Sequence, residues 1–353
     1  MRHGLIPYHT LYVEYPPGAL PVFLAPEVSP HHYTDLFSIL MAVFGGIALV
    51  AIAASARALR FSDLDLAWAL APLAVAPALL GNLFLNRYDP WPMLLVALTV
   101  AAVMRRRLRA GGAAFALGVL AKVWPLAGAP VLAAHLVRTA GREGLARTGR
   151  VFVAVSLVGL VPFAILGPGG LAFSIYQQFT RNLETESLGG SALMLAHRLG
   201  IYGGRVIIGN LNSFDFVGSV PKLVGALSTL AALAALLAAA WWYLRGEATD
   251  SRFLAAFAAA IVGYVAFGKV LSTQYVVWLL PVVPLVRGRL GRTATVALLA
   301  AMGLTNLEST RIDSLAHALA PSNGSLAILL GRNLVLVAIY CLLALELVRP
   351  ERA

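Results

Sequence analysis

A few polar side chains stand where this otherwise apolar chain makes a charge expensive, and their types define the chemistry open to it. Near the N-terminus, Glu14 follows Pro7, Tyr8 and Thr10 and precedes Tyr15, Pro16, Pro17 and Gly18. Arg87 and Asp89 stand in the short polar run from Asn86 to Pro92. Lys122 lies in the middle of an apolar stretch, just before Val123, Trp124 and Pro125. Lys269 precedes Ser272, Thr273, Gln274, Tyr275 and Trp278, and Arg181, Glu184 and Glu186 fall within six residues. Carboxylates of this kind can take the proton of an attacking hydroxyl. The cations can hold a phosphate or carboxylate and steady the negative charge that develops on a leaving group. Plainer readings stand beside these. Residues 1–33 suit an aromatic anchor at a membrane interface. Arg87 and Asp89 suit an ion pair capping a tight turn, and Arg181 and Glu184 suit an i,i+3 pair on a helix. Lys122 is too deep to snorkel easily, so it and Lys269 are expected to face a bundle interior or water. Arg332, eight residues into the last apolar segment, suits either the outer interface or an anionic lipid headgroup.

Other chemistries find no support. The histidines (His3, His9, His31, His32, His135, His197 and His317) are scattered, with no His-Glu-x-x-His spacing, so no metal is expected. The lone Cys341 excludes an intramolecular disulfide and a cysteine-based metal site. There is no glycine-rich phosphate loop ending in Gly-Lys-Ser/Thr and no Gly-x-Ser-x-Gly elbow, which argues against an ATP-driven pump and an α/β-hydrolase. No cofactor is expected.

The elements that must position these residues are membrane helices. The chain has 353 residues, 59% of them hydrophobic and 12% charged, with a mean hydropathy of +0.81. Apolar segments recur from Tyr33 to Val348, long enough to span a bilayer and not alternating as barrel strands do. The net charge of +11 comes from short arginine clusters between these segments, which points to membrane topology and not to nucleic acid. Of 27 basic residues 24 are arginine, which with abundant alanine and glycine fits a GC-rich bacterial genome. The clusters at 57–60, 105–109, 138–150, 245–252, 287–292 and 349–352 are expected in the cytoplasm of a bacterial plasma membrane protein. The loops 1–33, 87–90, 168–222 and 305–323 then face outward, and the C-terminus faces inward. Spans are predicted near 34–56, 66–86, 91–104, 151–167, 223–244, 293–304 and 324–347. Residues 111–137 and 253–286 have arginines on both flanks but are too short for two full crossings. Each is predicted to be a hairpin of short or broken helices, with its tip at Lys122–Pro125 or Lys269–Tyr275, lining a polar cavity. The fold class is an all-α polytopic bundle, a single integral membrane domain over 1–353. Interfacial helices are expected in the large outer loop 168–222, one of them amphipathic from Ser191 to Leu199.

Taken in order, several segments resemble membrane glycosyltransferases of the GT-C class, and most closely glycosyltransferase family 87. These are Pro7 and Tyr8 with Glu14 to Pro17, Arg87 to Asp89, Lys122 to Pro125, Gln178 to Ser187, and Ser272 to Tyr275 with Trp278 and Pro281. The resemblance implies transfer of a sugar, mannose above all, from a polyprenyl-phosphate donor to a lipid or glycan acceptor on the extracytoplasmic face, with inversion at the anomeric carbon. It implies a carboxylate base and cations for the departing phosphate. Donor, acceptor and membrane lipids are the expected partners. The family pattern carries an aspartate where this chain has Thr10, and a helix that normally precedes the first outer loop is missing. Asp89 is then the first candidate for the base, with Glu14 next. Tyr8, Arg87, Lys122, Arg181, Glu186, Lys269, Gln274 and Tyr275 are the expected substrate-binding residues. Two other functions fit the same features. Broken helices also suit a transporter or flippase of lipid-linked sugars, and Thr10 suits a non-catalytic or inactive relative acting in envelope assembly.

Overall fold

The structure is a computed structural model that describes residues 4–209, 213–309 and 321–349. Arg2, His3, Arg311, His317, Arg352 and most of the expected loop 305–323 lie outside the described residues. The main helices are α1 (Tyr33–Ala58), α2 (Asp63–Leu80), α3 (Pro90–Met104), α4 (Leu108–Ala121), α5 (Ala129–Leu166) and α6 (Pro168–Phe179). They continue as α7 (Leu188–Arg198), α8 (Ser219–Arg245), α9 (Asp250–Phe267), α10 (Gly288–Ser309) and α11 (Asn323–Val348). Among the described residues six helical segments are long and apolar enough to cross a bilayer, which makes this a multi-pass membrane protein of the all-α class.

Local signals set the helix ends. Ser62 caps α2 by accepting from the Asp65 N–H, and Asp63 and Asp65 complement the dipole in its first turn. Gly81, at φ 50°, stops α2 at Leu80 and turns the chain through Asn82–Leu85, so the single span expected over 66–86 is a helix followed by a separate turn. Pro90 occupies the first position of α3. Both expected hairpins form. After α4 the backbone is extended at Lys122, continues as a 3-10 turn over Trp124–Gly128, and descends as the start of α5. α5 reaches the arginine cluster and kinks at Gly141, where φ is 68°, before rising again to Leu166. After α9 the chain breaks at Gly268 and returns through 3-10 turns at Thr273–Leu279 and Val283–Leu285.

α9 is the centre of the bundle. The run Ala255, Ala256, Ala258, Ala259 and Ala260 is buried throughout, and its small side chains let neighbouring backbones approach closely. A Cβ on Gly128 would lie 2.2 Å from the Phe257 ring, so the first hairpin seats on α9 only with glycine there. Leucines 223, 227, 230 and 237 along α8 and Val158 and Ile165 on α5 stay exposed, as lipid-facing side chains do.

The arginine clusters are tied together at one end of the bundle. Arg106 pairs with Asp250 at 3.0 Å and Arg292 with Asp65 at 2.9 Å. Arg138 donates to the Tyr243 and Gly246 carbonyls, and Arg252 donates to those of Trp242 and Leu347. The opposite end carries both hairpin tips and the segment 168–222. That segment holds the expected amphipathic helix as α7, capped by Ser187, whose side chain accepts from the Gly190 N–H. It also holds an unexpected antiparallel sheet of β1 (Leu183–Glu184), β2 (Arg205–Ile208) and β3 (Phe214–Val217), in the order β1-β3-β2.

Candidate active site

The two hairpin tips and the turn before α3 meet at Asp89. This residue is 1% exposed. Its Oδ1 accepts from Lys122 Nζ at 2.9 Å and from Trp278 Nε1 at 2.6 Å. Asp89 thus pairs with the first hairpin and not with Arg87, two residues away. Lys122 does find a carboxylate partner, as its depth demanded. Its ammonium also lies over four aromatic rings, 4.9 Å from the centroid of Tyr88, 5.0 Å from Trp278, 5.2 Å from Tyr275 and 5.7 Å from Tyr15. These rings surround a desolvated cation with their negative faces. Trp278 stacks on Trp124 at 4.9 Å and on Tyr275 at 3.7 Å, which locks the two tips together.

The N-terminal loop closes over this pair. Gly18 approaches the end of α4 so closely that a Cβ would lie 2.6 Å from the Leu120 carbonyl carbon. Its carbonyl accepts from Trp91 Nε1 at 3.0 Å. Upstream, the Glu14 carbonyl accepts from Ser174 Oγ and Gln178 Nε2, both at 3.0 Å, so α6 clamps the loop from its other side. The Glu14 side chain is half-buried, and its carboxylate accepts no hydrogen bond among the described residues. Burial raises its pKa above the usual carboxylate value, against the pull of Arg181 and then Lys122. Glu14 therefore stands within electrostatic reach of both cations. Tyr8 is buried, with its hydroxyl bonded to the Tyr15 carbonyl at 2.6 Å and its ring edge-on to Phe163. It positions the loop and has no hydroxyl left to offer a ligand as donor. Thr10 is exposed, and its Oγ1 accepts from the Ile6 N–H at 2.7 Å, closing a local turn.

Arg181 and Glu184 form the expected pair, on extended chain and not on a helix. Glu184 Oε2 also accepts from the Leu271 N–H at 2.9 Å, which pins β1 to the second hairpin tip. Burial pushes the Glu184 carboxyl up to about 7, with Arg181 opposing. Arg181, Lys222 and Lys269 line one crevice of about 230 Å³ beneath β3. Burial, and then the like charge of Arg181, lowers the Lys269 ammonium below its usual range. Lys222, on the first turn of α8, had no distinguishing mark in the sequence beyond being one of three lysines.

Glu186 faces the other way. Its carbonyl accepts from Arg332 Nη2 at 2.6 Å and Asn333 Nδ2 at 3.1 Å. Arg332 is buried against Glu308 at 2.6 Å, so it meets neither the interface nor a lipid headgroup. Burial, and then the Glu308 charge, raises the Glu186 carboxyl. Arg87 is exposed, and its charge acts on both Tyr15 and Glu186. Gln274 is half-buried, with Oε1 3.5 Å from Thr273 Oγ1. The expected site residues therefore divide. Asp89, Lys122, Tyr275 and Glu14 gather around the first tip, and Arg181 and Lys269 share the crevice. Arg181 joins the two groups, because its charge acts on both Glu14 and Tyr275. Tyr8 is bonded within the N-terminal loop, and the Glu186 carbonyl is bonded to Arg332 and Asn333. Among the described residues no three His, Cys, Asp or Glu side chains cluster as metal ligands would.

A family model described as glycosyltransferase family 87 matches residues 12–273, which takes in Glu14, Asp89, Lys122, Arg181, Lys222 and Lys269 and ends two residues before Tyr275. No curated protein matches the chain.

Proposed function

The chain belongs to glycosyltransferase family 87, and from that premise we propose that it moves mannose from a polyprenyl-phosphate donor to a lipid or glycan acceptor on the extracytoplasmic face. The observation that carries this reading is a half-buried carboxylate, Glu14, within electrostatic reach of Arg181, which lines a crevice together with Lys222 and Lys269. The crevice suits the donor phosphate, and the exposed leucines 223, 227 and 230 of α8 suit its prenyl chain. The sugar would extend past Arg181 toward Glu14 and Tyr275.

In this reading Glu14 is the base and Asp89 is not, which reverses the order expected from sequence. Asp89 Oδ1 already accepts from Lys122 and from Trp278, so this carboxylate is engaged in joining the two hairpin tips. Glu14 is held by its backbone, and burial makes its carboxylate more basic. The acceptor oxygen attacks the anomeric carbon as Glu14 takes its proton. The bond from that carbon to the phosphate oxygen breaks on the opposite face, and the electron pair leaves with the phosphate. Arg181, Lys222 and Lys269 stabilise the added charge. Displacement in one step inverts the anomeric centre.

The test is transfer of labelled mannose from its polyprenyl phosphate to a glycolipid acceptor by the purified chain in lipid vesicles. Glu14→Gln is expected to lower the rate about 10²-fold or more with unchanged thermal unfolding. Transfer by Glu14→Gln at the parent rate would remove the base assignment. Transfer from polyprenyl-phosphate glucose but not mannose would remove the sugar assignment. Movement of the intact donor across the vesicle, without transfer, would favour a flippase.

A further inference from the structure

We propose that the cleft at the arginine-rich end, between α9, α10 and α11, binds the headgroup of an anionic phospholipid. The cleft has a volume of about 1170 Å³. Arg252, Arg287, Arg289 and Arg349 line it, with Glu346 as the single carboxylate among the described residues. Ser251 and Thr293 add hydroxyls. Arginine at this end needs no ligand to explain it, since solvated turns collect it. Three further features set this cleft apart.

First, two helices begin at its wall. The first turn of α9 contributes Ser251 and Arg252, and the first turn of α10 contributes Arg289 and Leu290. Each helix start adds partial positive charge beside the arginines; at α9 Thr249 caps the Arg252 N–H, and the first-turn carboxylate of Asp250 is paired with Arg106. Second, the deepest arginine is held in place before any ligand arrives. Arg252 donates from Nη1 to the Leu347 carbonyl at 2.9 Å and from Nη2 to that of Trp242 at 2.8 Å. Its Nε is buried without a hydrogen-bond partner. Third, the floor is apolar, formed by Ala255, Val286, Leu290 and Leu342. Exposed side chains carry that surface outward to the bilayer, with Leu345 and Val348 on α11 and Val296 on α10.

A free phosphate would use the arginines and gain nothing from the floor. A phospholipid uses both, with its phosphate at the rim and its acyl chains along α10 and α11. Basic pockets between membrane helices suit anionic headgroups for this reason.

The experiment uses the whole chain, purified in detergent, delipidated and titrated with phosphatidylglycerol, phosphatidylcholine or inorganic phosphate, with bound lipid counted by native mass spectrometry. Phosphatidylglycerol is expected to bind, and phosphatidylcholine and inorganic phosphate are expected neither to bind comparably nor to compete. The double variant Arg289→Gln with Arg349→Gln is expected to weaken binding on the order of tenfold or more. A control, Arg105→Gln with Arg107→Gln, changes two arginines at the same end outside the cleft and is expected to bind as the parent does. Equal retention of phosphatidylcholine overturns the proposal without any variant, so a folding defect cannot shelter it. Displacement by inorganic phosphate reassigns the cleft to free anions. Equal weakening by the control pair reduces the cleft to general surface charge.

Discussion

Replacing Lys122 by methionine removes one charge and keeps most of the side-chain volume. Asp89, 1% exposed, then retains a single donor, Trp278 Nε1 at 2.6 Å. At the observed 2.9 Å the Lys122–Asp89 attraction is about 6 kcal/mol at the effective dielectric of protein sites, before either group's desolvation is counted. Removing one partner of such a buried pair costs about 3–5 kcal/mol, because the other charge is left without compensation. Asp89→Asn strands the ammonium instead. The four rings around Lys122 soften that loss, so about 2–4 kcal/mol is expected. The double variant Asp89→Asn with Lys122→Met removes both charges, and the asparagine oxygen still accepts from the Trp278 indole. It is expected to cost about 1–2 kcal/mol, roughly the worth of the remaining hydrogen-bond change.

The order is the test: the double variant should be more stable than either single one. Unfolding in mixed micelles, followed by tryptophan fluorescence, measures it directly. Trp278 bonds to Asp89 and stacks on Trp124 at 4.9 Å, so two of the six tryptophans report from the site. If the two losses simply add, the carboxylate and the ammonium are stabilised separately and the account of a desolvated pair is wrong.

Further outcomes follow from other parts of the same end. Glu184, held at about 7 in the fold against an ordinary 4.5, contributes stability that is full below pH 4.5 and is lost as pH rises through 7. Between pH 6 and pH 8 the parent should therefore lose about 1 kcal/mol relative to Glu184→Gln, read from paired unfolding curves. Gly18→Ala places a Cβ 2.6 Å from the Leu120 carbonyl carbon. It should cost about 1–3 kcal/mol and should also lower transfer, because the same loop carries Glu14. Arg332→Met leaves Glu308, 1% exposed, unpaired. A loss of about 3–5 kcal/mol is expected by thermal unfolding, with most of it recovered in Arg332→Met with Glu308→Met.

What could be read from sequence was the energetic demand that each residue makes; what could not be read was the partner that meets it. An apolar run long enough to span, or an arginine cluster that must stay in water, states its requirement locally, and the spans and the common arginine end follow from it. The hairpins were legible for the same reason: too few residues lay between two clusters, and Pro125 and Gly268 mark where helix gives way. Lys122 announced that it needed an anionic partner, phosphate or carboxylate. Nothing local said that the carboxylate was Asp89, 33 positions away, and the nearer candidate for Asp89, Arg87, is left exposed. Arg332 likewise declared a cost without naming Glu308. The sheet stayed hidden because strands of two to four residues carry no period long enough to read. Lys222 stayed hidden because an exposed lysine at a helix start carries no local sign that it shares a crevice with Arg181 and Lys269. The same distinction bears on the base. Sequence ranked Asp89 above Glu14 by the tightness of its turn, yet the Asp89 oxygen is already taken by Lys122 and Trp278. The proposed base, Glu14, is instead fixed through its backbone carbonyl by Ser174 and Gln178, a contact that no local pattern announces.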